Sequence, residues 1–255
     1  MDDELTSREL SQNIQSKITL LHFKSIESTN QYAKQICRKT KIKQPFLIWA
    51  DQQTAGVGKR SRPFFSSAGG LYISLILPNQ KIEANNVGLF TTSLALGIIH
   101  AIQDSFAIIV DVKWVNDIYL EGRKIAGILV EQCNDQSVII GVGINLFQPD
   151  FPTEIQNVAG NLLKSAPSDL QRQQFLVTLV KALFQSTRTY TNPKFIAEYK
   201  RRLTLMNPHV KLQIGRSEIS EEVVDVNNLG QLIIENSITH EKRSVQAGEV
   251  IKVLP

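Results

Sequence analysis

Cysteine is nearly absent. Only Cys37 and Cys133 occur among 255 residues, too few for a disulfide scaffold or a thiolate zinc centre. Both are expected to be reduced thiols in a cytoplasmic protein. The four histidines, His22, His100, His209 and His240, show no ligand spacing, so no metal site built from protein side chains is expected. No run of eighteen apolar residues occurs, which argues against a transmembrane helix and a membrane partner. The start, Met1-Asp2-Asp3-Glu4, is acidic and no apolar h-region follows, so no secretory signal is read. Charge of one sign barely dominates, with 28 Lys and Arg against 24 Asp and Glu. A net +4 is weak evidence for nucleic-acid binding unless the cations cluster.

What is present is an ordinary apolar content of 42%, enough for a real core. Residues 1–17 are polar and read as an N-terminal tail, although Thr6 and Glu9 have capping-box spacing. Residues 18–206 read as one domain. Strands are expected over 18–26, 45–50, 71–77, 109–115 and 137–146, with a hairpin over 118–132 turning at Glu121-Gly122. Helices are expected from Ser28, over 87–102, over 171–190 behind a Ser168 cap, and over 193–203. Residues 207–255 change texture, with short strands between turn residues such as Asn227-Asn228 and Gly230. That texture suits a small β-barrel. Strands and helices mix without strict alternation, so the fold class is α+β.

One cluster of cations does exist. The stretch QTAGVGKRSRPFFS, residues 53–66, joins two strands and carries Gly56, Gly58, Lys59, Arg60 and Arg62. Glycine lets backbone N–H groups turn toward an anion, and adjacent cations offset its charge. The spacing is neither that of a phosphate-binding P-loop nor that of a dinucleotide fingerprint. By itself the loop also suits a solvated basic turn. A second constellation is KWVNDIYLEGRKIAGILVE, residues 113–131. Trp114 suits a core position and Asn116-Asp117 a turn. Lys124, however, enters an apolar strand, where its ammonium could meet developing negative charge. A third is GVGINL, residues 141–146, in which Asn145 could offer its amide to a heterocycle.

Taken in order, ESTNQYAK, QTAGVGKRSRPFFS, GLYISLILP, KWVNDIYLEGRKIAGILVE and GVGINL resemble the biotin protein ligases, closely over about residues 20–150. The resemblance implies a central mixed sheet flanked by helices, similar to class II aminoacyl-tRNA synthetases, with a C-terminal SH3-like β-barrel. It implies ATP-dependent formation of biotinyl-5′-AMP with magnesium, then transfer of biotin to a lysine of a biotin carboxyl carrier protein. Site residues follow from the matching motifs. Ser28, Thr29 and Asn30 would hold the ureido head of biotin, and Gln53 would also contact biotin. Val57, Gly58, Lys59, Lys124 and Gly127 would also face biotin. Gly56, Arg60, Arg62, Phe64, Trp114, Asn116 and Asn145 would face the nucleotide. Lys124, Asp117 and Lys59 would serve catalysis, Asp117 by orienting the acceptor lysine or the ribose-phosphate side.

Val57 and Lys59 stand where the family carries loop arginines, and Ser61 where it carries glycine. A leakier adenylate is therefore expected. Fewer than twenty residues precede the first strand, so no winged-helix domain and no DNA partner are expected, while a homodimer formed by aligned sheets is compatible with the family. Two other readings compete: a lipoate–protein ligase of the same fold, and a basic nucleic-acid-binding module on the C-terminal barrel. The barrel strands lack the interleaved aromatics that stack bases.

Overall fold

The β-rich segments gather into two sheets. The computed structural model describes residues 3–133, 136–204, 209–214, 217–246 and 249–253. In chain order the first part comprises α1 (Asp3–Ile14), β1 (Thr19–Phe23), α2 (Thr29–Lys39), β2 (Phe46–Ala50), β3 (Leu71–Leu77) and α3 (Val87–Phe106). It continues with β4 (Asp111–Lys113), β5 (Asp117–Leu120), β6 (Arg123–Gln132), β7 (Val138–Ile144), α4 (Asp169–Thr189) and α5 (Ile196–Arg201). The C-terminal strands are β8 (His209–Ile214), β9 (Ser217–Val226), β10 (Leu232–Glu235), β11 (Lys242–Val245) and β12 (Glu249–Val253).

The larger sheet has seven strands in the order β1-β2-β3-β7-β6-β5-β4. Only β1 and β2 run parallel; the remaining pairs are antiparallel, which makes the sheet mixed, as expected for α+β. Its central strands β3 and β7 are buried along nearly their whole length, hence their continuous Ile, Leu and Val runs. One face carries the long antiparallel pair α3 and α4, whose Leu94, Ile98, Leu179 and Leu183 lie in the main core with Leu75 and Ile140. By length and composition α3 could cross a membrane, yet its side chains from Leu89 to Ile102 are almost all buried against the sheet and α4. The other face carries α2, which packs Ala33 on Ile48, Ile76 and Ile139. Caps read from sequence are in place. Ser28 accepts from the Gln31 N–H at 3.4 Å, and Ser168 forms a complete capping box with Gln171.

Two expectations require correction. The N-terminal segment is not a loose tail: α1 begins at Asp3, ahead of the Thr6 cap position, and buries Leu10 and Ile14 in the main core. Arg188 of α4 donates to the Ile14 carbonyl at 3.2 Å, satisfying an otherwise orphaned acceptor at the helix end. Two apolar residues one turn apart were too sparse a stripe to announce this docking. The C-terminal strands form an antiparallel five-stranded sheet of order β11-β10-β9-β8-β12. Among the described residues its two edge strands do not pair with each other, so the sheet is open rather than a closed barrel. The boundary read at 206/207 lies outside the described residues.

The C-terminal sheet is tied to the larger one by specific contacts. Trp114 Nε1 donates to the Gly230 carbonyl at 2.9 Å, Lys200 pairs with Asp225 at 2.6 Å, and Arg60 Nη2 reaches the Gln213 carbonyl at 3.4 Å.

Candidate active site

A cavity of about 390 Å³ opens on the α2 side of the larger sheet. Its floor follows from strand register. Tyr72, Gly143, Gly127, Asp117 and Lys113 lie opposite one another across β3, β7, β6, β5 and β4, and Ser74, Gly141 and Leu129 form the next row. Glycines at the middle of the rows leave a dent where neighbouring strands carry side chains. A Cβ on Gly143 would lie 2.5 Å from Phe64 Cε1, and one on Gly141 would lie 2.2 Å from Asn30 Oδ1. Phe64 and Asn30 therefore occupy space that only glycine leaves open.

Register also places Lys124. In uninterrupted pairing, alternation from Gly127 would send Lys124 to the core face. A bulge breaks the β5–β6 register: Ile118 pairs with Ala126, but Tyr119 pairs with Lys124. The extra residue, Ile125, is fully buried in the core, and Lys124 turns to the cavity face. There its Nζ lies 2.8 Å from Asp117 Oδ1, with both side chains about a quarter to a third exposed. The contact is an ion pair without an aligned N–H···O bond. The same Nζ sits 5.8 Å from the Phe64 ring centroid. The Lys124 backbone is clamped on both sides, its N–H donating to Val158 O at 2.8 Å and its carbonyl accepting from Gly160 N at 2.9 Å.

At the other end of the cavity the groups are neutral and polar. Thr29 N donates to Gln53 Oε1 at 2.8 Å, while Gln53 Nε2 donates to Ser66 Oγ at 2.9 Å. Ser74 Oγ lies 2.8 Å from Thr29 Oγ1 and 2.5 Å from Asn30 Oδ1, and Asn30 Nδ2 donates to Glu131 Oε2 at 3.0 Å. Ser28, Thr29 and Asn30 are all buried and all line the cavity.

The glycine-basic loop forms the rim. Phe64 N donates to Gly56 O and Gly58 N to Arg62 O, both at 2.8 Å, and Val57 bridges Pro63, so the loop is a narrow hairpin. Arg60 and Ser61 at its tip both have φ of 58°, a left-handed conformation that costs a residue with a Cβ on the order of 1 kcal/mol. Val57, Gly58, Lys59 and Arg62 line the cavity. Lysines 59, 113 and 124 and Arg62 thus surround it against one carboxylate, Asp117, which favours an anionic occupant.

The cavity brings together Ser28, Thr29, Asn30, Gln53, Val57, Gly58, Lys59, Arg62, Phe64, Trp114, Asn116, Asp117, Lys124 and Gly127. Three expected residues are not on its wall. Gly56 is buried behind the rim, Arg60 faces outward to Gln213, and Asn145 is buried with both ends of its amide engaged. Asn145 Nδ2 donates to Gly160 O at 3.1 Å, and its Oδ1 accepts from Gln148 Nε2 at 2.9 Å. Asn145 therefore braces the segment that grips Lys124. Asn116 lines the cavity but spends its Nδ2 on Ile128 O at 2.9 Å. Reading the sequence missed Ser74, Lys113, Tyr119 and Glu131. A serine inside the apolar run LYISLIL was the one available signal for Ser74; the others had none until register aligned them.

The pattern of the Biotin/lipoate A/B protein ligase family matches residues 22–145, the span that holds nearly all of these groups. The bifunctional ligase/repressor BirA of Escherichia coli strain K12 is 32% identical over 220 residues, covering 82% of this chain and 67% of that protein. The chain belongs to the biotin/lipoate A/B protein ligase family. It is likewise 32% identical to bifunctional ligase/repressor BirA of Bacillus subtilis strain 168 over 69% of its length, and spans 56% of that longer relative. Among solved structures, biotin protein ligase from Aquifex aeolicus in complex with biotin and ATP superposes with a TM-score of 0.79. The identity there is 26%, over 91% of this chain and 97% of that one.

Proposed function

We propose that the chain joins biotin to ATP, forming biotinyl-5′-AMP and pyrophosphate, and then passes biotin to a lysine of a carboxyl carrier domain. The observation that carries this reading is the polarity of the cavity, with a neutral, hydrogen-bonding end at Thr29, Asn30 and Gln53 and a cationic end at Lys124, Lys113, Lys59 and Arg62. A cyclic urea with an acidic side chain matches that gradient. The urea carbonyl needs N–H donors and its N–H groups need acceptors, which buried amides and hydroxyls provide. The carboxylate and the nucleotide phosphates need cations.

In the first step a carboxylate oxygen attacks the α-phosphorus. A C–O–P linkage forms, and the bond to the β-phosphate oxygen breaks with its electron pair leaving on pyrophosphate. Two anions must approach, so electrostatic offset and placement supply most of the acceleration. Lys124 is held at the cationic end by its backbone and by Asp117, where it would meet the carboxylate and the α-phosphate together. In the second step the acceptor amine attacks the acyl carbon, AMP leaves, and the amine proton passes to solvent or phosphate. Asp117 attracts the incoming ammonium, which gives up one proton to solvent before its neutral amine attacks. Among the described residues no group of three His, Cys, Asp or Glu side chains comes together to hold a metal. Magnesium is held by one or two carboxylates together with phosphate oxygens, so it would arrive on the triphosphate as part of that substrate.

The test is incubation with biotin, ATP, magnesium and a carrier domain, followed by mass measurement of the acceptor. Addition of one biotinyl group is expected, with lipoate giving none. Lipoylation without biotinylation would establish the sister activity instead.

A further inference from the structure

The two ends of the Asn30 amide have almost the same shape, so only its partners decide which end is which. Glu131 decides. A carboxylate accepts and does not donate, so the atom 3.0 Å from Glu131 Oε2 must be Asn30 Nδ2. The other carboxylate oxygen is held by Lys34 Nζ at 2.7 Å, which prevents Glu131 from turning away. Asn30 Oδ1 then takes the single proton of Ser74, and the Thr29 hydroxyl has one proton to direct either to Ser74 Oγ at 2.8 Å or to Gln53 Oε1 at 3.2 Å. The β7 backbone at Gly141 closes the space beneath the amide. One Nδ2 proton of Asn30 is left over, and Asn30 is on the cavity wall whereas Glu131 and Lys34 are not.

We propose that Glu131, anchored by Lys34, is a positioning residue that fixes the Asn30 amide with its N–H toward the cavity, and so selects a head group that presents a carbonyl oxygen over one that presents an N–H. This inference rests on the biotin-activating reading and names a residue that sets its specificity.

Glu131→Gln is the discriminating change. Lys34 would claim the oxygen of the introduced amide, leaving the N–H of that amide facing the Asn30 N–H. Asn30 relieves that clash by flipping, and its oxygen replaces its N–H at the network's cavity side. The KM for biotin in pyrophosphate exchange should rise about ten- to a hundredfold, the cost of one mispaired buried hydrogen bond, with kcat near that of wild type. The ratio of activity on 2-iminobiotin, whose N–H-bearing carbon substituent replaces the carbonyl oxygen, to activity on biotin should rise. The double variant Lys34→Met with Glu131→Gln frees the introduced amide oxygen to return to Asn30, and KM should recover to within about threefold of wild type. A purely structural role gives no such rescue, because the double variant has lost one more contact. An active wild type with an unchanged KM in Glu131→Gln, or a double variant worse than the single one, overturns this inference alone. A wild type that forms no biotinyl-5′-AMP removes the activity reading and this inference with it.

Discussion

Gly143→Ala tests whether the dent in the sheet makes the site. The new Cβ would lie 2.5 Å from Phe64 Cε1 and 2.9 Å from Cζ. Carbon atoms rest at about 3.5–4.0 Å, so the ring must retreat by about 1 Å. The Phe64 backbone is held by Gly56 and by the Ser66 hydroxyl at 2.9 Å, and Tyr72 stands edge-on at 6.5 Å. The ring therefore swings into the cavity toward Lys124. Overpacking of this kind costs about 1–3 kcal/mol, offset by about 0.5–1 kcal/mol from replacing a strand glycine. At about 2–4 °C per kcal/mol for a chain of this size, Tm should fall by no more than about 10 °C. A misplacement of about 1 Å at the reacting groups costs far more, about a hundredfold in rate. Pyrophosphate exchange should thus be nearly lost in a protein that still folds. Adding Phe64→Ala removes the clash, so the double variant should be no worse than Phe64→Ala alone, with a coupling of at least about 1 kcal/mol. Wild-type exchange kinetics in Gly143→Ala, or additive losses in the pair, would refute the reasoning.

Lys124→Met should lower adenylate formation by about a hundredfold or more, the usual loss when one preorganised electrostatic group is removed. Its unfolding free energy should change by only about 1 kcal/mol, because the pair with Asp117 is partly solvated; exchange kinetics beside urea denaturation would check both. Restoring Val57→Arg with Lys59→Arg should slow release of the adenylate, read by trapping free biotinyl-5′-AMP, and unaltered release would discard the leaky-loop expectation. Burial pushes the Tyr72 and Tyr199 phenols above their ordinary range, Arg172 partly opposing this for Tyr72 and Asp117 reinforcing it for Tyr199. A raised folded-state value means that the contribution is complete below the unfolded value of about 10 and is lost as pH climbs above it, at about 1.4 kcal/mol per pH unit for each tyrosine. Tyr199→Phe should flatten that alkaline limb by one tyrosine. It should also add about 1 kcal/mol at neutral pH, because its buried hydroxyl finds no partner among the described residues; urea midpoints from pH 8 to 12 would show it.

The sequence by itself settled what depends on near neighbours. Ser28 and Ser168 cap their helices because a side-chain oxygen meets an N–H three residues on. The hairpin turns at Glu121-Gly122 because both residues adopt positive φ there, and the cationic loop is written out as consecutive letters. Tertiary structure decided whatever depends on register or on a distant partner. Spacing could not show that the bulge at Ile125 turns Lys124 from the core to the cavity beside Asp117. Nor could it show that Asn145 braces the segment gripping Lys124, that Glu131 orients Asn30 from 101 residues away, or that Leu10 and Ile14 dock α1 into the core. The physical reason is the two-residue period of a strand. One extra residue reverses every side chain beyond it, and only pairing with the neighbouring strands fixes where that reversal falls.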